Sequence, residues 1–215
     1  KLLACPLPIR SCNGFLPGTW KLTGPTPDRE HALAFAETAC RRADQVGIKF
    51  IVFGSGAARN APKDFDIAKA RAQFIDFTEK LADRIAGCRV TIVLEPLNKK
   101  EANFLNTVAE GIGYVDEIDK PRIRLLADMF HMRMEGEPAD DIRKAGARLL
   151  HCHIAEKEKR MMPGTKGEDF ADYFKALRDI GYVGGVSCEC GWPKDVPIED
   201  SYATAVAYLH KQAGC

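Results

Sequence analysis

The sequence predicts a parallel α/β fold. Six short apolar, β-branched segments alternate with helical stretches from end to end. The segments show continuous hydrophobicity rather than an in–out alternation, as strands covered on both faces do. Glycine, proline and capping residues punctuate the junctions. Such alternation requires parallel strands joined through helices.

The clearest segment is Val90-Thr-Ile-Val-Leu-Glu-Pro-Leu-Asn98. Nothing polar interrupts it after Thr91 until Glu95. Pro96 drives Glu95 into an extended conformation and removes the next ladder donor. The strand therefore stops on a carboxylate that faces a loop. In parallel sheets that edge is where ligands bind.

The other elements follow in order. Residues 2–9 read as the first strand and 10–27 as loop, with turn signals at Asn13-Gly14, Pro17-Gly18 and Gly24-Pro25 and Trp20 as a loop anchor. Pro27-Asp28 opens a helix to about Val46, with Gly47 as its C-cap. Residues 49–53 form a second strand. Gly54-Ser-Gly56 follows it without a phosphate-loop pattern, so close backbone packing is the reading there. A long amphipathic helix covers 63–86. Residues 103–118 are helical, 122–128 a strand, 138–146 a short helix and 148–154 a strand. A charged loop over 157–167 leads to a helix at 169–180, a strand at 183–189 and a helix at 198–213. No linker or low-complexity tract divides the chain, so one domain over 1–215 is expected.

Bulk properties narrow the function. Hydrophobic residues make up 46% and charged residues 28%, ordinary for a globular protein. Lys+Arg 31 against Asp+Glu 30 gives a net charge of +1, which offers no electrostatic case for nucleic acid or an anionic membrane. No run has the length of a membrane span and no signal peptide opens the chain, so a cytoplasmic protein is expected. Eight cysteines include no CxxC pair and read as packed thiols, among them Cys5, Cys40 and Cys152. Cys188-Glu-Cys190 resembles a soft-metal pair, but a strand turns both thiols away from the face of Glu189.

Four strands end in metal-ligating residues: Glu95, Asp128, His153 and Glu189. In a closed parallel barrel these ends converge on one mouth. Three carboxylates and an imidazole brought together there repel unless a cation lies between them. Singly, such residues cap helices, pair with lysine or sit in a core. At four successive strand ends they point to a metal site. An oxygen-rich set with one histidine suits Mn²⁺ first, then Mg²⁺ or Co²⁺, and Zn²⁺ less. His151, on the same strand face as His153 but a layer deeper, reads as core.

At these residues the chain resembles the xylose-isomerase-like TIM barrels, in the branch of D-tagatose 3-epimerase, D-psicose 3-epimerase and hydroxypyruvate isomerase. The motifs are Leu94-Glu-Pro-Leu-Asn98, Asp128-Met-Phe-His-Met132, His151-Cys-His-Ile-Ala-Glu156 and Val186-Ser-Cys-Glu-Cys190. The resemblance implies a (β/α)8 barrel and metal ligation by Glu95, Asp128, His153 and Glu189. It implies that Glu95 and Glu189 double as acid and base, and that His131 and Glu101 touch substrate. The epimerases' substrate arginine, six residues beyond the ligand histidine, falls on Lys159 here, with Arg160 next. Against eight family strands this chain shows six, so the first two βα units are expected to be missing from a truncated barrel.

The expected activity is that of a divalent-metal-dependent sugar isomerase or epimerase. It moves a proton next to a ketose carbonyl through an enediolate. Its partner is a small-molecule sugar, and a homo-oligomer is compatible with the reading. Two rivals stand beside it. One is an endonuclease IV-like phosphodiesterase, whose His-rich multi-metal site and affinity for DNA backbone fit poorly with five histidines and balanced charge. The other is an inactive carbohydrate-binding member of the family.

Overall fold

In the computed structural model, which describes residues 5–214, six strands form one sheet in chain order, each parallel to its neighbours. They are β1 (Ser11–Cys12), β2 (Phe50–Phe53), β3 (Thr91–Leu94), β4 (Ile123–Asp128), β5 (Leu149–Ile154) and β6 (Val186–Cys188). The helices between and after them are α1 (Arg29–Gln45), α2 (Gly56–Arg59), α3 (Ile67–Arg84), α4 (Val108–Ile118), α5 (Met129–Glu135), α6 (Asp140–Ala145), α7 (Ala171–Asp179) and α8 (Ile198–Ala213).

The sheet curls into most of a barrel. Asn13, just past β1, donates to Glu189 Oε1, just past β6, at 2.6 Å, so the two ends of the strand order meet at the mouth. Curling gives every central strand two buried faces. Outward-facing Ile51, Phe53, Ile92, Leu94, Ile123 and Leu125 join the main core beneath the helices. Inward-facing Val52, Val93 and Leu126 form a small inner cluster with Phe50 and Leu150. That division explains why these strands lack polar alternation. The outermost strands β1 and β6 are only half-buried along their length.

Local chemistry sets the helix starts. Asp28 accepts from His31 N, Asp66 from Ala68 N and Lys69 N, and Thr107 from Glu110 N. These caps begin α3 and α4 later than the hydrophobic pattern suggests, because a capping residue is itself non-helical. The first strand also differs from expectation. Residues 2–4 lie outside the described residues, and 5–9 are not strand. Pro6 and Pro8 cannot donate to a ladder, so pairing begins only at Ser11. Cys5 is accordingly exposed rather than packed, whereas Cys40 and Cys152 are buried. The last strand is shorter than 183–189, and Val183 is 99% exposed. Trp20 packs edge-on against His31 and Phe35, as a loop anchor should. Among the described residues, no helix is long and apolar enough to cross a membrane.

Phe74 on α3 is the hub of the outer core. Its ring meets Phe53, Phe104 and Tyr114, and the Arg59 guanidinium lies over it at 5.8 Å. Phe74→Ala should cost about 3–5 kcal/mol in urea unfolding, whereas Val183→Ala should stay within about 0.5 kcal/mol.

Candidate metal centre

Each of the four strand-end residues arrives at the mouth for a local reason. Glu95 follows β3, where Pro96 ends the ladder. Asp128 is the last residue of β4, and its Oδ1 accepts from Phe130 N at 2.8 Å, capping α5. His153 pairs directly with Asp128 in the β4–β5 register. Glu189 N donates to Ile154 O at 3.2 Å, which continues the β5–β6 ladder one residue past β6. One ligating atom from each of the four lies within 4.8 Å of the others. Glu95, Asp128 and His153 are buried and Glu189 is half-buried.

The electrostatics are those of crowded acids sharing few cations. His153 Nδ1 lies 3.0 Å from Glu95 Oε1 and 3.2 Å from Glu189 Oε2. Burial alone would lower its pKa, but hydrogen bonds to Glu189 and Glu95 and their charges push it up to about 10. Burial, and then the Glu95 charge, raise Asp128 to about 7 against the pull of His153 and Arg160. Glu189 goes the other way. Burial raises it, yet His153, Arg160 and Asn13 together hold it well below the usual carboxylate range.

Arg160 supplies the second cation. Its Nη2 lies 2.5 Å from Glu189 Oε2 and 3.1 Å from Asp128 Oδ2, and the guanidinium sits 4.6 Å over the Phe130 ring. Lys159 beside it is exposed. Of the two basic residues singled out in the sequence, Arg160 is the one that reaches the cluster. Glu101 lies at its outer edge, 43% exposed, 3.7 Å from Arg160 Nη1.

His131 lines the same cavity. Its Nδ1 accepts from Asn98 N at 3.2 Å, and since a backbone amide can only donate, the neutral ring carries its proton on Nε2. Burial and the Arg160 charge lower its pKa to about 3, which keeps it neutral. Nε2 has no hydrogen-bond partner and lies 3.5 Å from Asp128 Oδ2. A buried, unsatisfied N–H facing the cluster is a donor held ready for something that enters it. Asn98 ties this part together, since its Nδ2 also reaches Glu101 Oε1 at 2.9 Å. His151 lies deeper, against the Phe50 ring and Ser187 Oγ, as a core residue.

The sequence reading passed over two contributors. Asn13 reads as a turn residue, yet it binds Glu189. Arg59 is fully buried, and its Nη2 donates to Glu95 O at 3.2 Å and Leu105 O at 3.3 Å. An arginine three residues after the Gly54-Ser-Gly56 turn was the available signal. A Cβ on Gly54 would fall on Glu95 Oε2, and one on Gly56 would lie 2.7 Å from Glu101 O. The glycines permit close approach, the reading made for this turn.

The donor set fits a hard divalent cation. It offers three carboxylates and one imidazole, three of them buried, with protons and a guanidinium now balancing the charge. Gly54→Ala should displace the Glu95 carboxylate and weaken Mn²⁺ binding by about 10–100-fold, read by calorimetry with the circular dichroism spectrum unchanged.

Comparison with known proteins identifies the fold and family. The xylose isomerase-like TIM barrel family matches residues 7–212. D-psicose 3-epimerase of Enterocloster bolteae is 37% identical over 143 residues, 64% of this chain and 47% of that protein. L-ribulose 3-epimerase of Methylomonas sp. is 37% identical over 120 residues, 55% of this chain and 42% of that protein. The chain thus spans about half the length of these curated relatives or less. Among solved structures, D-allulose 3-epimerase from Methylomonas sp. in complex with D-allulose superposes with a TM-score of 0.76 at 25% identity, covering 90% of this chain and 73% of that one. The 3-keto-D-glucoside 4-epimerase from E. coli gives a TM-score of 0.82 at 23% identity, covering 97% and 80%, a likeness of fold alone. The six-stranded curled sheet and the match over nearly the whole sequence lead to one conclusion: this chain belongs to the xylose isomerase-like TIM barrel family.

Proposed function

We propose that this chain carries the active site of a divalent-metal-dependent ketose 3-epimerase. The observation that carries the reading is the pair Glu95 and Glu189, which approach His153 Nδ1 from two different strands within one four-residue cluster. The relatives named as ketose 3-epimerases supply the substrate class and the position of reaction. Glu95, Asp128, His153 and Glu189 would hold the cation, with Mn²⁺ the first choice. Bound there, it supplies Lewis acidity to the ketose carbonyl.

The chain's own residues do the rest. Glu189, with Asn13 and Arg160 placed on its two oxygens, is the carboxylate that accepts a proton from the carbon next to the carbonyl. Glu95, reaching the cluster from β3 and entering the step in its protonated form, delivers its own proton to the opposite face, which inverts that carbon and leaves Glu95 ionised and Glu189 protonated. In the reverse direction the two exchange roles. His131 offers its Nε2–H and Arg160 its guanidinium to substrate oxygens, and Glu101 with Asn98 shapes the rim. Return of the proton to the neighbouring carbon by the same carboxylate would give aldose–ketose isomerisation instead.

Ketose turnover in D₂O with Mn²⁺ should place deuterium next to the carbonyl. Glu95→Gln and Glu189→Gln should each lower turnover by about 10²–10⁴-fold. Wild-type rates in both variants would rule out the two-carboxylate mechanism.

Metal loading should also release protons. His153 titrates near 10 and Asp128 near 7 in the cluster, so both carry protons at pH 6 that a cation must displace. Mn²⁺ affinity should therefore rise with pH between about 6 and 8, by up to about tenfold per unit for each proton displaced. Titration calorimetry in buffers of differing ionisation enthalpy counts those protons. An affinity flat across this range would contradict the ligand set.

A further inference from the structure

We propose that Glu156 is a positioning residue that presents Arg160 to the substrate, an inference that rests on the ketose-binding reading of the site above. Glu156 lies three residues beyond His153, just past β5, and is fully buried. Its carboxylate accepts four backbone N–H groups. Oε1 takes Gly164 N at 2.8 Å, Gly167 N at 3.0 Å and Glu168 N at 3.3 Å, and Oε2 takes Lys166 N at 2.7 Å. Its own amide donates to Met161 O at 2.8 Å. The segment from 157 to 168 therefore leaves β5 and folds back over one carboxylate. A buried carboxylate is costly unless hydrogen-bonded, and converging backbone N–H groups are a strong way to do it.

What this device holds is a strained turn. Lys159 and Arg160 have φ of +57° and +52°, left-handed conformations that cost a non-glycine residue about 1–2 kcal/mol each. Such a pair persists only where its surroundings fix it. Around it, Gly191 N donates to Arg160 O at 2.7 Å, Met162 N donates to Gly191 O at 3.0 Å and Lys157 N donates to Glu168 Oε2 at 2.5 Å. The product of the turn is the direction of one side chain. Arg160 enters the cluster against Asp128, Glu189 and the Phe130 ring, while Lys159 next to it is exposed. Among the described residues, no hydrogen bond or ion pair joins Glu156 to the four ligating residues. Its effect on them runs through the loop.

The test uses the full chain with Mn²⁺ and compares Glu156→Gln, Arg160→Met and the double variant. The glutamine oxygen can still accept, but its NH₂ end can only donate, so the backbone N–H groups on one side of the former carboxylate meet a donor. D-fructose and D-psicose kinetics should show KM raised about tenfold or more in Glu156→Gln, the scale of one lost charged hydrogen bond, with the loss falling on KM rather than kcat. The double variant should be no worse than Arg160→Met, since both changes remove the same interaction. Hydrogen exchange should lose protection over 157–168 in Glu156→Gln and nowhere else. An unchanged KM, effects that multiply in the double variant, or unchanged protection over 157–168 would each overturn the proposal. If Glu156→Gln does not fold, Lys166→Pro removes the N–H at Oε2, with Lys166→Ala as the control for the 3.5 Å ion pair to Glu158 that is lost along with it. If the wild-type chain turns over neither sugar, the epimerase reading fails, and hydrogen exchange still decides the role of Glu156.

Discussion

Three carboxylates and an imidazole converge at one end of the curled sheet, and much of the neighbouring structure answers that crowding. Like charges so close are unfavourable in a buried place, and each remedy is visible. A proton sits on His153 between Glu95 and Glu189, and Arg160 bridges Asp128 and Glu189. Asn13 donates to Glu189, and behind Glu95 the Arg59 guanidinium holds the backbone carbonyl. Asp128 turns its other oxygen to the first turn of α5. The same features make the place receptive to a hard cation, because every one of these partners is weaker than a divalent ion at the centre.

The surrounding fold spends stability to keep this arrangement. Arg59 is buried with its Nε and Nη1 unpaired, compensated by two backbone carbonyls, the faces of Phe74 and Phe104 and the nearby Glu95 charge. Gly54 forgoes a side chain so that Glu95 can lie against β2. Leu105, whose carbonyl Arg59 also binds, has φ of +55°. Deviations of this kind gather where position matters more than stability.

The sheet, the alternation and the four strand-end residues were legible in the sequence because each rests on a local rule. Pro96 marks the end of β3, and the length of each apolar run separates strand from helix. Legibility fails where one residue does two jobs or where a contact is remote. Asp128 is at once the last residue of β4 and the cap of α5, so the helix it starts does not stand out from the strand before it. Glu156 sits beside a charge run that reads as solvated loop, and only folding reveals that Gly164, Lys166, Gly167 and Glu168 turn their amides toward it. Arg59 looks like a surface base until Phe74 and Phe104 close over it. The β1 assignment failed because hydrophobicity outweighed two prolines.

The hydrogen bond from Asn13 to Glu189 has a kinetic side. Among the described residues each strand pairs with its sequence neighbours, so the sheet can grow through fairly local contacts. The bond across the mouth joins residues 176 positions apart and needs every unit between them in place. Closing a loop of that size carries an entropic cost that only near-complete folding can offset. The mouth is therefore expected to assemble late and to open early when β6 or α8 frays. A chain can keep its apolar core and most of its helices in that state while the four ligating side chains no longer share a centre.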